Sequence, residues 1–241
     1  MCSKEVRPRT QGITRRGLGL SLLGYAGAQW LANSASAAEA ELHLVLAFDA
    51  SASVNDEEFH LQRAGTARAL RDPSVMGAIA QAPGGIAISL VQWASIKHQV
   101  VALTWTRLSN ADSVFAFSRS VDAMPRKLSG GNTMIHAGLA FAARQFANAP
   151  GSARRRVIDL SGNGPADDAQ ALASERRRLI DAGLVINALA IEELKGNLTR
   201  YYEDFLIGGS GAFVQTALEF SDFEDAMRQK LLREIKGPAL S

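Results

Sequence analysis

Cysteine is nearly absent. Cys2 is the single thiol among 241 residues and stands at the extreme N-terminus, so disulfides, zinc–thiolate centres and cysteine nucleophiles are excluded from the body of the chain. An excess of one charge is lacking too. The formal charge is +2, but Lys4, Arg7, Arg9, Arg15 and Arg16 lie within the first 37 residues against Glu5 alone, and beyond them 21 basic residues face 23 acidic ones. A nucleic-acid reader usually carries a basic excess, and this body has none. Beyond residue 40 there is no run of about eighteen apolar residues, so the body spans no membrane. The signatures of common enzymes are also missing: no Gly-x-Ser-x-Gly elbow, Walker loop, complete Gly-x-Gly-x-x-Gly or His-Glu-x-x-His. His43, His60, His98 and His136 show no metal-ligand spacing and read as core or surface residues.

What is present is an ordinary globular balance, 47% apolar and 21% charged, in a length that supports one sizeable core. Residues 1–37 read as a targeting segment. A basic stretch ends in Thr14-Arg15-Arg16-Gly17-Leu18, a moderately apolar run follows to Leu31, and Ala35-Ser36-Ala37 offers a small-x-small cleavage site before Ala38. The paired arginines resemble a twin-arginine signal, with Leu18 where Phe is commoner. An ordinary secretory signal or an uncleaved anchor are the plainer alternatives. Each of the first two implies an exported domain over 38–241, periplasmic or secreted; the twin-arginine route further implies folding before export.

From residue 41 strand and helix patterns alternate. Leu42 to Phe48 is an apolar run of strand length. Asn55 and Glu58 form a capping box before a helix that carries Phe59, Ala64, Ala67 and Leu70. Pro73 opens a short helix stopped at Pro83-Gly84-Gly85. Ile86 to Ala94 and Gln99 to Trp105 read as a hairpin, with Trp93 and Trp105 in the core, and Ser109 or Asn110 opens a helix toward Met124. Helices over Thr133–Asn148 and Asp167–Ala182, strands over Arg156–Ser161, Leu184–Ile191 and Ala212–Thr216, and a closing helix through Phe223, Met227, Leu231 and Ile235 complete the pattern. Such alternation predicts an α/β fold: a doubly wound, mostly parallel sheet with helices on both faces and ligands at the carboxyl ends of its strands.

The first strand runs into Asp49-Ala50-Ser51-Ala52-Ser53. Alternate residues of an extended segment point the same way, so one carboxylate and two hydroxyls can converge on a hard cation. Asp49-x-Ser51-x-Ser53 resembles the opening of the metal-ion-dependent adhesion site of von Willebrand factor A domains. The second loop of that site resembles Ser129-Gly130-Gly131-Asn132-Thr133, with Thr133 as ligand; its third resembles Ser161-Gly162-Asn163-Gly164, where Asn163 stands in place of the expected Asp. The resemblance covers residues 41–236. Ile186 to Ile191, Tyr201-Tyr202, Ile207-Gly208-Gly209 and Lys230 to Ile235 are similar to an exported bacterial branch of that family with undefined function.

The resemblance implies a binding module. Asp49, Ser51, Ser53, Thr133 and Asn163 would hold Mg²⁺, or another divalent ion such as Mn²⁺ or Ca²⁺, and capture an Asp or Glu of a protein partner. An amide at 163 leaves the ion about one charge more positive. Binding is then weaker, or it demands more of the incoming carboxylate. Two other readings stay open: a metal-dependent hydrolase, for which no base or nucleophile is in sight, and a metal-free scaffold whose site has decayed at Asn163. Each motif also has a plainer explanation. Asp49 and its serines suit a turn before a helix, Thr133 suits a helix N-cap, and Asp167 and Asp168 suit capping more than support of the cation. Asp159, inside an apolar strand, needs a partner and reads as structural. The triplets Arg154–Arg156 and Arg176–Arg178 read as a solvated strand end and helix face.

Overall fold

The computed structural model describes residues 39–193 and 196–237. The expected leader over residues 1–37 lies outside them. Six strands, β1 (Ala40–Asp49), β2 (Ile86–Trp93), β3 (Gln99–Leu108), β4 (Ala153–Gly162), β5 (Val185–Ile191) and β6 (Val214–Ala217), form one sheet in the order β3-β2-β1-β4-β5-β6. Every pairing is parallel except β2 with β3, the expected hairpin.

The helices are α1 (Asp56–Leu70), α2 (Pro73–Gln81), α3 (Ala111–Asp122), α4 (Ile135–Gln145), α5 (Ala169–Asp181), α6 (Leu198–Tyr201) and α7 (Phe223–Lys236). Their starts are locally encoded. Asn55 and Glu58 close the capping box of α1, Asn110 caps α3, and the Asp168 side chain caps α5. Central β1 is buried on both faces, as a parallel strand between helix layers must be. Leu42, Leu44, Leu46 and Phe48 pack with Phe59, Phe117, Phe223 and Leu231 from α1, α3 and α7. Val45 and Ala47 pack on the other face with Ile135, Leu139, Leu172 and Leu179 from α4 and α5.

Some boundaries differ from expectation. The helix foreseen over 133–148 begins at Ile135, with Met134 as its cap residue, and ends in a 3₁₀ turn at Phe146–Asn148. Thr133 is therefore neither helical nor a cap. Its backbone is tied elsewhere, as described below. The segment α6 and the π-helical turn Tyr202–Leu206 were not anticipated; Leu198, Tyr202 and Leu206 anchor it in the core. In the arginine triplets Arg154, Arg156, Arg177 and Arg178 are exposed, as expected, and Arg155 and Arg176 are half-buried. Arg155 donates to the carbonyls of Glu234 and Ile235 at the end of α7, and Arg156 to that of Ala182 at the end of α5. Both thereby serve orphan helix-end carbonyls. Asp159 has its partner in Lys230 of α7, 2.9 Å away.

The chain builds outward from β1 to β2 and β3, then returns to the other side of β1 with β4. The loops after β1 and β4 thus diverge at the switch point of the sheet, where α/β folds open a crevice.

Candidate metal site at the strand switch point

The loop after β1 turns tightly because the Ser51 N–H donates to Asp49 Oδ1 at 2.8 Å. That turn carries Ser53 back over the strand end, so Ser51 Oγ and Ser53 Oγ stand 3.1 Å apart. From the loop after β4, Asn163 Oδ1 accepts from Ser53 Oγ at 2.7 Å, and Asn163 Nδ2 donates to the Ser53 carbonyl at 3.2 Å. Asp49, Ser51, Ser53 and Asn163 are thereby brought together. Asp49 and Asn163 are each 1% exposed and Ser51 is fully buried.

The second loop joins through its backbone. Ala52 N–H donates to the Gly131 carbonyl at 3.0 Å. Gly131 has φ 102°, and a side chain there would meet Ser95 Oγ at 2.6 Å, so glycine is required. Thr133 N–H donates to Asp167 Oδ2 at 2.8 Å, and Asp167 N–H returns a bond to the Thr133 carbonyl at 3.2 Å. Of the two aspartates read as caps, Asp168 is one and Asp167 is not: it laces the second loop to the third. Among the described residues these bonds tie Thr133 to Asp167, and no hydrogen bond joins it to Asp49, Ser51, Ser53 or Asn163.

The electrostatics centre on Asp49. Its Oδ2 is buried and has no hydrogen-bond partner among the described residues. Burial pushes its carboxyl up to about 6, against the pull of the Ser51 hydrogen bonds and the charge of Arg126. Arg126 is committed elsewhere: Nη2 donates to the Val54 carbonyl at 2.7 Å and Nη1 pairs with Asp56 at 2.8 Å. Tyr202 lies close by and donates to the Gly164 carbonyl at 2.9 Å. Burial first, and the nearby Asp49 second, hold its phenol well above the usual range, so it stays protonated. Gly162 leaves the space between them. A Cβ there would stand 2.7 Å from Tyr202 Oη and 3.3 Å from Asp49 Oδ2.

Among the described residues no three His, Cys, Asp or Glu side chains cluster in a way that could hold a metal. Any cation here would rest on one carboxylate, hydroxyls and an amide oxygen. That donor set suits a hard ion. In an octahedron with bonds of about 2.1 Å, adjacent oxygens lie about 3 Å apart, close to the Ser51–Ser53 spacing. The orphaned Asp49 oxygen supplies the charge. The residues therefore fit a divalent cation. The sequence gives no sign that Arg126 and Tyr202 stand beside Asp49, because only tertiary structure brings them here.

The fold is the one seen in solved von Willebrand factor A-type domains. Three solved structures that share the fold are similar to this chain at low identity. One is proximal thread matrix protein 1 from the mussel byssus with a zinc-occupied MIDAS motif (17% identity over 81% of this chain and 48% of that one, TM-score 0.61). Another is a von Willebrand factor type A protein from Catenulispora acidiphila (17% identity, 81% and 43% covered, TM-score 0.57). A third is the corresponding domain of a type V pili tip protein from Porphyromonas gingivalis (10% identity, 81% and 95% covered, TM-score 0.56). The chain spans about half the length of the mussel protein. No curated protein sequence matches it significantly. The chain belongs to the family described as "Protein of unknown function (DUF1194)", whose model matches residues 39–239. Among the described residues no helix is long and apolar enough to cross a membrane.

Proposed function

We propose that this protein is an exported adhesion-type binding module that captures a carboxylate of a protein partner through a divalent cation, and that it is not an enzyme. The observation that carries the proposal is the buried Asp49 with its orphaned oxygen, set among oxygen donors from separate loops at the switch point. Asp49, Ser51, Ser53 and Asn163 would hold the ion, with Thr133 from the second loop. Mg²⁺ suits the donor set best, with Mn²⁺ or Ca²⁺ as substitutes. When bound, the ion supplies concentrated positive charge and an open position for an Asp or Glu side chain.

The chain's own residues do the rest. The bond from Ser51 N–H fixes the Asp49 carboxylate, and Tyr202 with Trp93 closes its inner side. The serine hydroxyls and the Asn163 oxygen are preset by their mutual hydrogen bonds, which limits the ordering cost of binding. The fold-mates from a mussel thread matrix and a pilus tip support an adhesive role outside the cell. The twin-arginine-like leader over residues 1–37 supports export, to the periplasm or beyond. Binding is favoured over hydrolysis because among the described residues no base or nucleophile pair is drawn up beside Ser51 or Ser53, each of whose hydroxyls is bonded within the loop cluster.

Isothermal titration of the full chain with Mg²⁺ or Mn²⁺, with and without a small carboxylate, tests the proposal. Binding is expected in the wild type and lost in Asp49→Ala. A wild type that takes up no ion under either condition would falsify the mechanism.

A further inference from the structure

Glu193 lies two residues past the end of β5, at the same carboxyl edge of the sheet as Asp49 and Asn163. The loop around it is built with care. Glu192 N–H and Glu193 N–H donate to the carbonyls of Ala217 and Leu218, each at 3.0 Å, which carries the β5–β6 pairing past the ends of both strands. Glu193 has φ 44°, a left-handed conformation that residues with a β-carbon adopt at a cost. The two consecutive glutamates serve different ends. Glu192 accepts the N–H groups of Leu198 and Thr199 at 3.0 and 2.8 Å and so anchors the start of α6. Glu193 reaches the switch point instead: its Oε2 accepts from Asn163 Nδ2 at 2.7 Å.

This bond fixes the Asn163 amide. Nδ2 donates to two groups that can only accept, the Glu193 carboxylate and the Ser53 carbonyl. The Asn163 oxygen is therefore turned to the Ser53 hydroxyl and cannot exchange places with the nitrogen. A carboxylate that accepts from the amide N–H also polarises the amide oxygen. Together the pair Asn163–Glu193 presents an amide oxygen toward Ser53 with a carboxylate one hydrogen bond behind it.

We infer that Glu193 is the second carboxylate of the cation site, a positioning residue that supplies through Asn163 the charge an amide lacks. The inference rests on the cation reading above. It turns Asn163 from a sign of decay into one half of a two-residue ligand.

Titration of the full chain with Mn²⁺ tests it. Glu193→Gln keeps an acceptor for Asn163 Nδ2 at this position and removes the charge. It is expected to weaken binding about 10- to 100-fold, the usual effect of losing a group that supports a metal ligand. Adding Asn163→Asp to Glu193→Gln moves the carboxylate onto the ligand itself and is expected to restore binding to within a few-fold of wild type. A merely structural Glu193 would not be rescued in this way. Melting in chelator probes the hydrogen bond with no cation present. Asn163→Asp alone sets two carboxylates at hydrogen-bond distance and should lower Tm, and Glu193→Gln in the same chain should recover it.

If Glu193→Gln binds Mn²⁺ like wild type while Asp49→Ala binds none, the Glu193 inference fails and the cation site stands. If wild type binds no Mn²⁺, both fail. If the double variant melts no higher than Asn163→Asp in chelator, the pairing of Asn163 with Glu193 is wrong.

Discussion

Two buried carboxylates on neighbouring strands have opposite fates. Asp159 of β4 and Asp49 of β1 are each 1% exposed, and burial raises both. Asp159 is answered from within. Lys230 of α7 is fully buried, with Nζ 2.9 Å from Asp159 and 2.7 Å from Glu234, whose Oε1 also accepts from Asn187 at 3.1 Å. Asp49 meets hydroxyls, an amide and a protonated phenol, and the nearest guanidinium is engaged elsewhere. The difference separates a buried carboxylate that has an internal ammonium partner from one whose Oδ2 has no hydrogen-bond partner among the described residues. The first belongs to the architecture; the second is where the proposed cation would act.

The comparison is broken most violently at Lys230. Burial disfavours its ammonium, yet Asp159 and Glu234 hold its pKa above the ordinary value, so it stays charged. Lys230→Met strands two carboxyls in the core and is expected to cost about 3–5 kcal/mol of stability, measured by urea unfolding. An effect below about 1 kcal/mol would show that the cluster does not carry the packing of α7.

The next largest effect is on pH dependence. Burial, then the adjacent Glu234, push Asp159 up to about 7 from 3.8 despite Lys230. A raised folded-state value means that the native state binds the proton more tightly than the unfolded chain. This contribution to stability is full below about pH 4 and is lost as pH rises through about 7. Each tenfold difference in proton affinity is worth about 1.4 kcal/mol, so the loss amounts to a few kcal/mol. Asp159→Asn should flatten the stability profile across that window; an unchanged slope in the variant would assign the dependence to another group.

Gly162→Ala comes third. The new methyl would crowd Tyr202 Oη and the free Asp49 oxygen, costing about 1–3 kcal/mol and suppressing cation uptake together. Smallest in stability and sharpest in meaning is Asp49→Asn. In chelator it should be neutral or slightly stabilising, because it removes a buried charge that lacks a partner. It should also abolish any rise of Tm on adding Mg²⁺. Destabilisation by several kcal/mol would make Asp49 structural, like Asp159.

Much of this was legible in the sequence, for physical reasons. Strands buried on both faces write themselves as apolar runs, and the capping box at Asn55 and the cap at Asp168 are local. The spacing of Asp49, Ser51 and Ser53 survives because extended backbone preserves period two. What failed depends on distant partners. Thr133 looks like a helix start until Asp167 takes its N–H. Nothing local marks Lys230 and Glu234 as buried; only tertiary packing brings Lys230 to Asp159 of β4. Leu198, Tyr202 and Leu206 do carry a four-residue spacing, but the segment is too short for that spacing to stand out. Glu193 has no local signal, since its role comes from a left-handed turn and a bond to a residue 30 positions away.

The lacing of the three loops has a consequence for their motion. The amides of Ala52, Thr133 and Asp167 sit outside regular helices and strands, yet each is tied to a different loop from its own. Loop amides ordinarily exchange with solvent deuterium one by one, through small local openings. Here releasing one requires prising apart its neighbours, so the three should exchange slowly and at a common rate. The rim would then behave as one opening unit, and a bound ion would slow all three by the same factor.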